Sequence, residues 1–172
     1  TNLISLVNTL ELDLGKLWPG APLTEEEFLA LLSRTAFTLL ANAAHVRAKA
    51  LRAAVSRLLC VLATRYNHRL PVTSGIVHAV RRHEHCAGAP IAELLAALAT
   101  EHHAPELVGD VLRDIGALTA RELANDAAGV RHIAATLPEL AERVPHVVLA
   151  NVSVLIAHLD SDSYMLRNGV VS

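Results

Sequence analysis

Five residues have the side-chain types that bind metals: His83, His85 and Cys86, then His102 and His103. A structural zinc site needs four such donors closing a tetrahedron. On a continuous helix residues 83 and 85 point about 200° apart and cannot share an ion, whereas His83 and Cys86, three apart, could. His102 and His103 fall beyond the far end of the following helix, roughly 16–18 Å from the turn that holds His85. The expectation is no metal centre. Catalytic patterns are equally thin, with no glycine-rich phosphate loop and no nucleophile elbow. Glu25, Glu26 and Glu27 read as a helix start, and Glu139 and Glu142 beside Arg143 as solvated helix surface. The chain is expected to be no enzyme and to carry no cofactor.

Charge gives the clearer signal. The whole chain is nearly balanced, 15 basic against 17 acidic residues, but residues 28–83 hold nine Arg or Lys and no Asp or Glu. Residues 84–162 hold twelve acids and four Arg. Such an asymmetry can draw an acidic partner or a phosphate backbone to one end. Lys49, Arg52, Arg57 and Arg69 are the candidate contacts. The alternative is an ordinary solvated face, because Lys49, Arg52 and Arg57 lie opposite the Leu51, Val55, Leu58 and Leu62 stripe. Few aromatics argue against base stacking, so duplex DNA, if bound, is expected to be held by its backbone.

The elements that must position these residues are helical throughout. Half of the 172 residues are apolar, mostly Leu, Ala and Val, which suits helices better than sheets. The spacing predicts helices over 2–12, 24–43, 46–65, 74–86, 90–101, 105–117, 127–144 and 146–159, with a short turn near 119–124. Thr24 with Glu27 forms a capping box, Asp126 caps another helix, and Pro138 should kink or divide that helix. Each helix is too short to stand alone. Five aliphatic side chains on 146–159 contribute roughly 8–15 kcal/mol if buried, against about 13–26 kcal/mol of backbone ordering. Flanking helical hairpins would supply the missing burial. Candidate hairpins are 24–65, 74–101, 105–144 and 146 onward. Their irregular spacing suits an all-α, HEAT/armadillo-like α-α superhelix of stacked antiparallel helical hairpins, with an irregular bundle as the alternative. In "HLDSDSYMLRN", Asp160 or Asp162 closes a turn, Asp162 or Ser163 caps the next helix, and Arg167 follows the inward Leu166. Asp160, Asp162 and Arg167 are therefore candidate repeat-stacking residues. Two cysteines make no disulfide framework, no secretory leader is visible, and the longest run free of charged residues, 144–159, is too short for a membrane span.

Several stretches resemble the N-terminal region of the condensin complex subunit 1 family, the D-type HEAT-repeat subunit of condensin I. "LWPGAPLTEEEF" at 17–28 is similar to that family's Leu-Trp-Pro segment before an acidic helix start. "TRYNH" at 64–68, "HEH" at 83–85, "ELAERVP" at 139–145 and "HLDSDSYMLRN" at 158–168 follow in the family's order. A shorter connection near 42–47, Pro138, and Gly169 in place of a helix-favouring residue depart from the family pattern. The resemblance implies a single N-terminal helical-repeat region over 1–172, a fragment truncated at its C-terminal end, with the apolar face 148–159 partly uncovered. It further implies a non-catalytic scaffold or regulatory subunit acting in mitotic chromosome condensation. Its partners would be a kleisin and SMC ATPase subunits, with duplex DNA possible and no membrane contact. Its location would be nucleus and chromosomes with a cytoplasmic pool. Two other readings are a direct DNA-backbone binder using 45–69 and a generic HEAT adaptor.

Overall fold

A computed structural model describes residues 2–18, 22–160 and 163–172. Helices account for about four-fifths of them, and no strand occurs among the described residues. In chain order they are α1 (Asn2–Leu12), α2 (Glu25–Leu40), α3 (Ala43–Arg47), α4 (Lys49–Thr64), α5 (Arg69–Arg82) and α6 (Ala89–Thr100). After these come α7 (Pro105–Gly116), α8 (Ala120–Ala124), α9 (Ala127–Arg143), α10 (Pro145–Ala150), α11 (Val152–Leu155) and α12 (Tyr164–Val171). Single 3-10 turns sit at Leu14–Lys16, Glu84–Cys86 and Ile156–Asp160.

The helices stack in two rows, which makes the fold an all-α, HEAT-like superhelix. One row runs α2, α5, α7 and then α10 with α11; the other runs α4, α6, α9 and α12, with α1 packed on α4. The rows interlock through α2 on α4, α4 on α5, α5 on α9, α6 on α7 and α9 on α10. In the second hairpin α5 and α6 approach each other less closely than either approaches the third hairpin. Burial therefore comes chiefly from the neighbouring hairpin. Helix α4 shows the result most fully: residues 54–63 are buried except Arg57, which is half-buried. A helix apolar nearly all round needs neighbours on every side, and α1, α2, α3, α5 and α6 supply them.

The capping box forms as its sequence requires: Glu27 N–H donates to Thr24 Oγ at 3.2 Å and Thr24 N–H to Glu27 Oε2 at 2.8 Å. Asp126 Oδ1 accepts from Gly129 N at 3.0 Å at the start of α9, and Ser163 caps α12 through Leu166 N at 3.3 Å. Four boundaries differ from expectation. Helix α5 begins at Arg69 and not near 74, because Pro71 falls in its first turn, where the missing N–H has no helical partner to lose. It ends at Arg82, and the Glu84–Cys86 turn is separate. The stretch 41–48 inserts α3, capped by Asn42 Oδ1 on Ala44 N at 2.9 Å. The helix expected over 146–159 breaks at Asn151, whose Nδ2 donates to the Val147 carbonyl at 2.9 Å.

Pro138 does not divide α9, which runs unbroken from Ala127 to Arg143. Proline removes the N–H that would bond the carbonyl four residues back, that of Ala134. Helix α12 comes down on this spot: a Cβ added at Gly169 would lie 2.8 Å from both Cα and O of Ala134. Gly169 thus permits the close approach of α12 to α9. Leu166, fully buried, anchors the same contact, so α12 buries surface despite its eight residues. Leu149, Val152 and Ile156 remain exposed along 148–159, while Leu155 is buried.

Candidate functional site

Three of the four nominated basic residues, Arg52, Arg57 and Arg69, sit beside acids of other elements, and Lys49 does not. Arg52 of α4 is the least exposed, its side chain 13% accessible. It donates to the carbonyls of Val46 and Arg47 at the end of α3, and to the Glu93 carboxylate of α6. Glu93 also stands 3.8 Å from Arg143 of α9, which itself donates to Glu139 at 2.5 Å. One carboxylate thus ties three successive hairpins together. Arg57 grips Glu11 of α1 with two nitrogens and reaches Asn8 Oδ1 at 2.8 Å. Arg69 pairs with Asp110 of α7, which also accepts from Arg113. Burial disfavours ionising Asp110, but hydrogen bonds from Arg69 and Arg113 outweigh it and hold the carboxyl below its usual range. Arg81 pairs with the capping Asp126 at 2.8 Å, and burial opposed by that bond leaves Asp126 lowered as well. Lys49 is exposed, as are Arg34, Arg47, Arg65 and Arg82.

These pairings explain the uneven charge of the chain. A segment with nine basic residues and no acid can pair only outside itself, and each partner found belongs to α1 or to residues beyond 83. Arg52 to Glu93 and Arg69 to Asp110 both span 41 positions, about one hairpin. Histidines make a second series at similar spacing. His85 Nε2 lies 2.9 Å from the Leu40 carbonyl, His132 Nδ1 3.0 Å from that of Val80, and His158 Nε2 2.8 Å from that of Ile115. Each accepting carbonyl lies in the last turn of a helix, α2, α5 or α7, where backbone oxygens lack helical donors. These arginines and histidines are the stacking residues that motif reasoning missed. The recurring 41-residue step from Arg to acid was the available signal. Of the residues nominated for stacking, Asp160 is exposed, Asp162 lies outside the described residues, and Arg167 is half-buried on α12.

The histidine pair near 83 is arranged differently from a helical pair. Because α5 stops at Arg82, the His83 and His85 rings come to 5.4 Å between centroids. Burial first, then the neighbouring His85 and His78, lower the His83 pKa. His103 occupies a left-handed turn after α6, with φ of 52°. No group of three or more His, Cys, Asp or Glu is placed to hold a metal ion among the described residues. Cys86 donates its thiol to the Leu40 carbonyl at 3.2 Å, and burial pushes its pKa up to about 11. Burial raises Cys60 too. Both sulfurs are therefore protonated and poor nucleophiles at neutral pH.

Two open grooves flank this framework. One, about 330 Å³, lies between α4 and α6 and is lined by Lys49, Arg52, Ser56, Glu93 and Arg143. The other, about 810 Å³, has α5 as its floor, with Arg34 and Phe37 of α2 on one side and Asp114, Leu118 and Glu122 on the other. No described helix is long and apolar enough to cross a membrane.

Comparison with known proteins points to one family. A family described as "non-SMC mitotic condensation complex subunit 1, N-term" matches residues 1–72. The chain is 37% identical over 170 residues to condensin complex subunit 1 of Mus musculus, covering 97% of this chain and 12% of that protein. It is 32% identical to the protein of that name in Xenopus laevis, over 98% of this chain and 12% of the relative. Against condensin-1 complex subunit CAP-D2 of Arabidopsis thaliana the identity is 30%, over 96% of this chain and 12% of the relative. The chain spans about an eighth of the length of these relatives.

Proposed function

This chain is a homologue of condensin complex subunit 1 over nearly its whole length, and on that premise we propose that it is a non-catalytic scaffold of a condensin complex acting in mitotic chromosome condensation. The observation that carries this reading is the ladder of polar contacts spanning one hairpin each, Arg52–Glu93–Arg143 and Arg69–Asp110 with the three histidine bonds. A stack held in this way presents long continuous surfaces and spends its charged groups on register. In this role the chain contributes to holding a kleisin segment and to approaching the SMC ATPase subunits. It resides in the nucleus and on chromosomes, with a cytoplasmic pool.

The test is co-purification of the full-length subunit, with and without the region equivalent to residues 2–172, on tagged kleisin. Loss of recovered kleisin or SMC subunits is expected when the region is removed. Unchanged recovery together with normal chromosome condensation refutes the reading.

A second reading, contact with the DNA backbone by 45–69, is favoured by one observation. Arg47, Lys49 and Arg65 are exposed and carry no ion pair among the described residues. Arg52, Arg57 and Arg69 are already engaged within the chain, so the exposed three take their place in that proposal. Duplex binding that weakens steeply with salt, and weakens further in Lys49→Glu with Arg65→Glu, supports it. Binding indifferent to salt or to those changes removes it.

A further inference from the structure

The groove over α5 has an arginine on its α2 side and acids on its α7 side, over a mixed floor in which Pro71, Gly75 and Val77 alternate with Ser74, His78 and the Asp126-paired Arg81. Six described carboxylates are half-buried: Glu11, Glu93, Asp110, Asp114, Asp126 and Glu139. Five of them hold an arginine, and Asp114 holds none among the described residues. It lines the groove from α7, while Arg34 of α2, exposed and likewise without an acid among the described residues, lines it from the other side. Phe37 lines it beside Arg34 and Leu118 beside Asp114, both half-buried, with the exposed Pro71 of α5 also in the lining. The floor is low because the Phe37 ring rests directly on Gly75, where even a Cβ would collide with it. The groove is open along its length, about 810 Å³, and shaped for a segment lying across it.

We propose that this groove docks an extended segment of a partner protein, with a Lys or Arg reaching Asp114, an apolar side chain on Phe37 and Leu118, and an acidic residue facing Arg34. The two unmatched charges dictate the direction in which the segment lies. The backbone polar groups along α2, α5 and α7 are used within their helices or, in the last turns, by histidines of neighbouring hairpins, so recognition rests on side chains and not on strand addition. The inference rests on the scaffold reading only in taking the occupant to be a protein.

The experiment pans a phage-displayed library of short random peptides against the full-length subunit. Its Ser74→Trp variant, which fills the groove from an exposed position on the floor, serves as the counter-target. Enriched peptides are expected to carry a basic and an acidic residue flanking an apolar one. Fluorescence polarisation with the enriched synthetic peptides should show roughly tenfold weaker binding to Asp114→Lys, the lost charge contact accounting for up to about fivefold and the new repulsion for the rest. A smaller loss is expected for Asp114→Asn. A peptide whose basic residue is replaced by Glu should regain binding to Asp114→Lys. Thermal unfolding of each variant confirms that it is folded. The proposal is overturned if nothing is enriched over the counter-target, or if enriched peptides bind Asp114→Lys as well as wild type. It is also overturned if Arg34→Glu abolishes duplex DNA binding while peptides are ignored. Co-purification with tagged kleisin, measured on the same variants, keeps the two readings apart: a wild-type subunit that assembles but enriches no peptide loses the groove and retains the scaffold.

Discussion

Replacing Arg52 by Ala removes the side chain that ties the end of α3 and the first hairpin to Glu93 of the second. Breaking a fully buried ion pair costs about 3–5 kcal/mol because the abandoned charge is left in a dry site. That figure is too high here, since Glu93 is 41% exposed and still has Arg143 at 3.8 Å. What remains is the loss of charge-assisted bonds to the Val46 and Arg47 carbonyls, about 1 kcal/mol each, with a smaller share from Glu93. The expected destabilisation is about 2–3 kcal/mol. For a chain of this size it should lower Tm by roughly 4–10 °C. Urea unfolding followed by far-ultraviolet circular dichroism measures it, and hydrogen exchange should place the earliest opening at α3. In a double-mutant cycle, Arg52→Ala with Glu93→Gln should show a coupling of about 1 kcal/mol or less. A loss below about 0.5 kcal/mol for Arg52→Ala, with α3 protection unchanged, would refute the claim that this residue sets register.

Three other outcomes follow from the packing. Gly169→Ala places a methyl 2.8 Å from the Ala134 backbone; overpacking of about 1–3 kcal/mol exceeds the roughly 1 kcal/mol gained in helix propensity, so a net loss is expected in thermal melts, with α12 loosening first. Asp110 and Asp126 have carboxyl pKa values below the ordinary range, so their pairing stabilises the fold fully above an unfolded pKa of about 3.9 and is lost as pH falls through the lower folded values. Asp110→Asn should flatten that acid limb in a pH series of urea midpoints, and an unchanged limb would contradict it. Cys60 and Cys86 should react with a thiol reagent at pH 8 only as fast as the chain opens, and prompt labelling of either in the native state would show that its burial is wrong.

Much of this arrangement was legible from residue types. Apolar spacing gave the helices, because side chains three and four apart share a face whatever that face meets. The Thr24–Glu27 box and the Asp126 cap were legible for the same local reason. Breaks governed by tertiary contact were hidden. Asn151 ends α10 while its side chain also accepts from Arg113, 38 positions away, and nothing near it in sequence announces that bond. Pro138 looked disruptive because its effect on α9 was judged without Gly169, which lies against the freed carbonyl. Arg52, Arg57 and Arg69 stood out as cations, but their acids lie 41 to 46 positions away. A wheel drawn for one helix cannot contain such partners.

The charge layout also bears on how the molecule would behave if it were severed. Residues 1–83 contain ten Lys or Arg against five Asp or Glu, and residues 84–172 contain five against twelve. Nicking the exposed Glu84 turn would yield a cationic piece and an anionic one, each with unmatched ends that fit the other through Arg52, Arg69 and Arg81. Long-range attraction would hasten their rejoining in dilute buffer and fade as added ions shorten its reach.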